Sequence, residues 1–235
     1  MPEFKYALLL IGAALAAPAA MAQTAATPDA PPTPQPAAAA AADSAPATPL
    51  PACELHIWPA ARVDAVTRGV GASFGLIGAM IDVAANADKN KRDTAFIAGT
   101  LDAQAQARVL RELDLPAKMH LPPSQVIIHD QGIDIRQDNP HRLSDSTAQC
   151  YTEFVVRQLF YFQNLVYSGQ MRTYLEARRF DGSTIKFDFR DSKHEDLTVK
   201  LPKEGEDTGP ATDALLTAFR GDVTFFSDKF ARKDK

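Results

Sequence analysis

The sequence predicts an α+β protein, in which an antiparallel sheet of about four to six strands, with a meander in its C-terminal half, is covered by two or three helices. Three observations predict this class. Several segments are rich in β-branched and aromatic residues, an Asp-Gly turn sequence separates two of them, and two other segments carry apolar stripes at helical spacing.

The first 52 of the 235 residues predict export rather than a folded domain. Residues 1–22 have the form of a signal peptide, with Lys5, an apolar stretch and a small-residue cleavage site ending at Ala22. Residues 23–52 contain twelve Ala and eight Pro, so we expect a disordered, partly polyproline II spacer that reaches roughly 90 Å when extended. We expect cleavage after Ala22, with an uncleaved membrane anchor as the alternative.

Residues 53–235 are expected to form a single α+β domain. Its first strand is predicted at Glu54–Trp58, because polar and apolar residues alternate there before Pro59. A helix is predicted over Ala103–Leu113, with Asp102 as its N-cap.

The sequence of the second half of the domain predicts four strands followed by a C-terminal helix. For the hairpin around Gly182, a three-residue loop over 180–182 gives one apolar face and sets Glu176 opposite Lys186. The strands are predicted at Gln125–His129, Cys150–Phe162, Gln170–Arg179 and Thr184–Arg190. The helix follows Gly209-Pro210, and its apolar stripe consists of Leu215, Phe219, Val223, Phe226 and Phe230.

The two cysteines predict a disulfide that fastens this domain. An exported chain with only Cys53 and Cys150 is expected to join them, because its compartment is oxidising. They are too few for a thiolate-only zinc site, and the five histidines lack the spacings of zinc motifs, so no metal site is predicted. The chain has no phosphate-binding glycine loop, and no cofactor is predicted.

The charge balance argues against nucleic acid as a partner. Lys and Arg number 25 and Asp and Glu number 29, which gives a net charge of −4, and no basic patch stands out along the sequence.

One match to a catalytic motif is present. Residues 71–75 fit G-x-S-x-G, which in α/β-hydrolases exposes a nucleophilic serine, here Ser73, and His194 is the candidate base. The strands that precede such an elbow are missing, since only seventeen residues separate Cys53 from Gly71. The sequence therefore favours a non-enzymatic role.

Two apolar stretches leave alternatives open. The small-residue run Gly69–Ile81 is predicted to pack closely in the core, and a membrane-associated or partner-binding surface is the alternative. The aromatic stretch 159–167 is predicted to be a buried central strand, and a groove for a peptide or lipid is its alternative.

The leading hypothesis is a periplasmic or secreted protein of a bacterial-type envelope. It would act as an assembly, adaptor or binding module on a long spacer, with an envelope protein or an apolar ligand as partner. A secreted serine hydrolase using Ser73 is one alternative, and a protein that binds lipid or a membrane surface without spanning it is the other.

Overall fold

A computed structural model of the protein describes residues 53–69, 84–135, 139–164 and 169–234. The predicted signal peptide and linker, Ser73 and nearly all of the run Gly69–Ile81 lie outside these residues. The hypotheses about those segments therefore stay predictions.

The described part of the chain forms six strands and four helices. The strands are β1 (Cys53–Trp58), β2 (Val63–Arg68), β3 (Ser124–Ile128), β4 (Cys150–Asn164), β5 (Gln170–Asp181) and β6 (Thr184–Asp196). The helices are α1 (Ala87–Thr100), α2 (Ala103–Glu112), α3 (Leu115–Lys118) and α4 (Gly209–Lys233). The α+β class is confirmed.

All six strands belong to one sheet, with the order β3-β1-β4-β5-β6. Strand β2 continues beyond β1 along the same edge of β4: β1 pairs with residues 150–155 and β2 with residues 159–164. The long strand β4 is therefore central, as predicted.

The prediction of an antiparallel sheet is wrong, because the sheet is mixed. Strands β1 and β2 run parallel to β4, and β1 also runs parallel to β3. Only the meander β4-β5-β6 is antiparallel. Parallel neighbours require a long crossover, and here α1, α2 and α3 lie between β1 and β3. The short turn sequences that predict hairpins are confined to the C-terminal half.

One face of the sheet packs against the helices and forms the main core. The predicted stripe of α4 is fully buried there, and Phe226 meets Phe154 of β4 edge-on at a centroid distance of 5.6 Å. Helix α2 begins as predicted, since the Asp102 side chain accepts a hydrogen bond from the Ala105 amide at 2.7 Å. The helix stripe and the cap follow local patterns, which explains why they could be predicted.

The prediction that the β5-β6 hairpin has one apolar face and a three-residue loop is wrong, because Phe187 and Phe189 pack against the main core whereas Phe180 and Ile185 belong to the cluster around Trp58. Asp181 pairs with Thr184 across a two-residue turn, in which Gly182 has a φ of 57°. A bulge near Phe180 then shifts the register, so that Glu176 lies opposite Arg190 rather than Lys186.

Helix α1 covers the open edge of β2. The Ala65 amide donates to Thr94 Oγ1 at 3.0 Å, and the Thr67 amide donates to Asn90 Oδ1 at 2.7 Å. These side chains take the place of a neighbouring strand and satisfy edge donors that would otherwise be free to pair with another chain.

A buried carboxyl group on α4 makes the stability of the domain depend on pH. Asp222 is fully buried beside Thr173 of β5, and Lys193 and Glu195 of β6 are its charged neighbours. Burial, with a smaller contribution from Glu195, raises its pKa from 3.8 to about 7. The folded protein therefore keeps a proton that the unfolded chain releases, so the contribution of Asp222 to stability is greatest below pH 4 and is lost as the pH rises from about 4 to about 7.

We expect Asp222→Asn to raise the thermal midpoint at pH 8 by several degrees and to flatten its decline between pH 4 and 8. Asn cannot ionise, so the cost of burying the carboxylate disappears. The measurement is a set of thermal unfolding curves at several pH values. Asp213→Asn, at an exposed position of the same helix, serves as the control and should leave the decline unchanged. An equal decline in wild type and Asp222→Asn would contradict this assignment.

Candidate binding face of the sheet

Within residues 53–69, 84–135, 139–164 and 169–234, no helix packs on the second face of the sheet, and this face has two regions with different surroundings. Over β1, β3 and the start of β4 it packs against the segment that follows β3, and a small apolar cluster forms around Trp58, Tyr151 and Phe180. Over β2, the end of β4 and parts of β5 and β6, two cavities open on it. We call this second region the open sheet face.

A buried ion pair lies between the sheet and the segment that covers it. Glu153 of β4 is fully buried and pairs with Arg178 of β5, which is 2% exposed. Glu153 Oε1 also accepts hydrogen bonds from the Leu143 amide at 2.6 Å and from the Tyr151 hydroxyl at 3.0 Å. The pair therefore fastens the covering segment to the sheet.

A polar cluster lies at the other edge of the covered region. His56 Nε2 lies 3.0 Å from Glu54 Oε2, His56 Nδ1 lies 3.1 Å from His129 Nε2, and the Ser146 hydroxyl donates to Glu54. The bond from Ser146, followed by that from His56, lowers the pKa of Glu54. Burial lowers the pKa of His129, whose ring stacks on Trp58 at 4.2 Å.

This cluster resembles a catalytic triad in composition but not in geometry. A serine nucleophile needs a base at its hydroxyl, and here the hydroxyl of Ser146 faces a carboxylate whose lowered pKa makes it a weak base. His56 contacts Glu54 and His129 instead. The arrangement holds β1 and β3 to the covering segment and offers no activated nucleophile.

The first cavity of the open sheet face has a volume of about 400 Å³. Its polar lining consists of Arg62, Arg157, Gln158, Tyr174, Arg190, Asp191 and Ser192. Below it, Glu176 is 3% exposed and pairs with Arg157 at 3.1 Å and with Arg190 at 3.0 Å. One carboxylate thus orients two guanidinium groups, and Arg190 also pairs with Asp188 at 2.9 Å.

The second cavity, of about 320 Å³, lies beside the first along the strands. It is lined by Val66, Arg68, Phe160, Phe162, Gln170, Arg172 and His194. No carboxylate belongs to this lining. Arg68 lies over the Phe162 ring at 5.5 Å, and Arg172 contacts the Tyr174 hydroxyl at 3.4 Å. In the part of the chain that the structure describes, neither arginine forms an ion pair with a carboxylate.

The aromatic stretch of β4 serves both faces. Leu159 and Tyr161 are buried in the main core, as predicted for a central strand. Phe160 and Phe162 alternate with them and are half-buried in the second cavity. The buried-strand prediction is confirmed for Leu159 and Tyr161, the groove for a peptide or lipid stays a prediction, and residues 165–167 of the stretch lie outside the described residues.

His194, the candidate base, is exposed on β6 opposite Arg172 of β5. Its predicted partner Ser73 lies outside the described residues, so the hydrolase alternative stays a hypothesis. Within the described ranges, no group of three or more His, Cys, Asp or Glu side chains could hold a metal ion.

Sequence reasoning missed the clustering of arginines on this face. They come from β2, the segment before it, β4, β5 and β6, and no two of them are closer than four positions in the sequence. The alternation of side chains along each strand indicates which residues of that strand share a face. The sequence does not show the register that brings arginines of different strands together.

The predicted disulfide is present and joins neighbouring strands. Cys53 of β1 lies directly opposite Cys150 of β4, with 4.5 Å between their Cα atoms. Such a bond is compatible with an exported protein. Among the described residues, no helix is both long enough and apolar enough to cross a membrane.

Comparison with known proteins assigns neither a family nor a function to this fold and face. No protein-family model matches the sequence, and no curated protein matches it. A similar solved structure is described as "Crystal structure of uncharacterized protein". It is 9% identical, the match covers 80% of this chain and 95% of that chain, and the TM-score is 0.29, too low to support an argument.

Proposed function

We propose that this protein is a non-enzymatic, exported binding module of a bacterial-type cell envelope and that the open sheet face is its binding surface. The observation that carries the proposal is the pair of adjacent cavities on the open sheet face, lined by arginines, half-buried aromatic rings and amide side chains. Binding sites commonly combine concave shape with a few convergent polar groups.

Three features support the module and its compartment. The disulfide belongs to an oxidising environment, and the N-terminal 22 residues have the form of a signal peptide. The Ala/Pro-rich spacer would let the domain bind at a distance from its N-terminus. Arginine is the side chain best suited to hold planar anionic groups, so the partner is expected to be anionic.

Site-specific photo-crosslinking in the native envelope tests the proposal. A photoreactive residue replaces either His194 on the open sheet face or Arg220, which is exposed on α4. We expect a crosslinked product at position 194 and little at position 220, because the partner occupies only the open sheet face. The product should disappear when Arg68 and Arg172 are both changed to Gln. Equal products at both positions, or none at position 194, would contradict the proposal.

A further inference from the structure

The two cavities lie on neighbouring rows of the same sheet face, and together we call them the groove. Gln158, Tyr174 and Ser192 occupy one row across the sheet, while Arg172 and His194 occupy the next row. Rows on one face lie two residues apart, about 7 Å along the strand. Arg172, which lines the second cavity, donates to the hydroxyl of Tyr174, which lines the first, at 3.4 Å. The groove therefore suits an extended ligand better than a single small ion.

The charges along the groove select an anionic ligand. Arg68 and Arg172 form no ion pair within the described residues, and Arg157 and Arg190 share the buried carboxylate of Glu176. Guanidinium groups bind carboxylate and phosphate oxygens through two parallel hydrogen bonds. The lining of the first cavity also holds Asp191, and Arg62 there pairs with Asp64. The acidic groups of the ligand are therefore expected in the second cavity, whose lining has no carboxylate.

The uncharged lining favours sugar rings between those acidic groups. Phe160 and Phe162 offer half-buried aromatic surface, on which the C–H face of a sugar ring can pack. Gln158, Gln170 and Ser192 supply donors and acceptors suited to hydroxyl groups.

Two other anionic partners fit this surface less well. An extended peptide gains affinity by adding a strand at a sheet edge, but backbone groups of β4 and β5 within the groove already pair with their neighbours. A membrane surface requires protruding apolar side chains, and the single large hydrophobic residue exposed in the described ranges, Val126, lies on β3 away from the groove.

We propose that the groove binds an anionic glycan, a sugar polymer that carries carboxylate or phosphate groups. This inference rests on the proposed function and names the ligand class for its binding surface. The guanidinium groups of Arg68 and Arg172 hold acidic groups in the second cavity, and Phe160 and Phe162 pack against the rings.

The test measures binding of the full chain to immobilised polymers. Polygalacturonate supplies carboxylates, a phosphomannan supplies phosphates, and dextran is the neutral control. Polyglutamate, single-stranded DNA and vesicles with anionic lipids represent the competing partners. We expect saturable binding to at least one acidic glycan, weakening with added salt, and little binding to dextran or to the competing partners.

Two double variants, each of which loses two positive charges, test whether the ligand binds in the groove. Arg68→Gln with Arg172→Gln should weaken glycan binding by at least about tenfold, because charge-assisted hydrogen bonds are lost. The control, Arg111→Gln with Arg220→Gln, removes the same charge from exposed residues outside the groove and should stay within about twofold of wild type. Thermal midpoints of both variants confirm that they fold.

Each outcome decides between the hypotheses. Binding of neither acidic glycan, equal binding of polyglutamate, DNA or anionic vesicles, or an equal loss in both double variants would overturn the glycan assignment. A crosslinked product at position 194 whose partner is identified by mass spectrometry as another protein would also overturn it, while leaving the proposed binding function in place. Absence of any product at position 194 would instead refute the binding function itself.

Discussion

Replacing both Cys53 and Cys150 with serine is expected to lower the free energy of unfolding by about 4–5 kcal/mol. The bond joins residues 97 positions apart, so it removes a large part of the conformational freedom of the unfolded chain. The expected loss is a large fraction of the stability of an ordinary domain, about 5–15 kcal/mol. Urea unfolding monitored by circular dichroism measures it.

Reduced wild type is the matched control for this double variant. Both lack the crosslink, so their unfolding curves should coincide once a reductant is present. A Ser/Ser variant as stable as oxidised wild type would show that the bond contributes little. Agreement of the variant with reduced wild type would assign the whole loss to the crosslink.

Replacing Arg178 with Met is expected to cost about 3–5 kcal/mol. The change leaves the carboxylate of Glu153 fully buried without its cation, and an uncompensated buried charge is strongly unfavourable. The chain offers a control in Arg111→Met, which breaks the exposed pair with Asp130 and should cost less than about 1 kcal/mol.

A second substitution separates the charge from the packing. Adding Glu153→Gln to Arg178→Met removes the buried charge but keeps an oxygen that accepts from the Leu143 amide. We expect this double variant to recover part of the lost stability, because a neutral amide costs less to bury than a carboxylate. If the double variant is less stable than Arg178→Met, the loss arises from packing rather than from the unpaired charge.

Local patterns explain which elements could be predicted. The stripe of α4 repeats at helical spacing, so its buried face, including Phe219 and Phe226, follows from the sequence. The N-cap of α2 and the strands of the meander also depend on neighbouring residues. In contrast, β2 lacks a strong alternating pattern, and its edge is satisfied by side chains of α1, which local sequence does not show.

The open sheet face shows the same division. Residues along β4 alternate between the core and the opposite face, so the sequence predicts that Phe160 and Phe162 share a side. The partners of that side come from β2, β5 and β6, and their alignment depends on register. The bulge near Phe180 places Arg190 opposite Glu176. The turn sequence around Gly182 does not predict this bulge.

The sequence by itself determined the α+β class, the disulfide pairing, the central strand and the buried face of the last helix. The class, the strand and the helix face follow from the spacing of apolar residues and from turn sequences, which depend on residues close in the chain. The disulfide pairing follows because two cysteines can form only one bond. Only the tertiary structure decided that the sheet is mixed and that its arginines gather on one face. Strand order and register arise from long-range packing, because the helices between β1 and β3 set the direction in which the chain returns to the sheet.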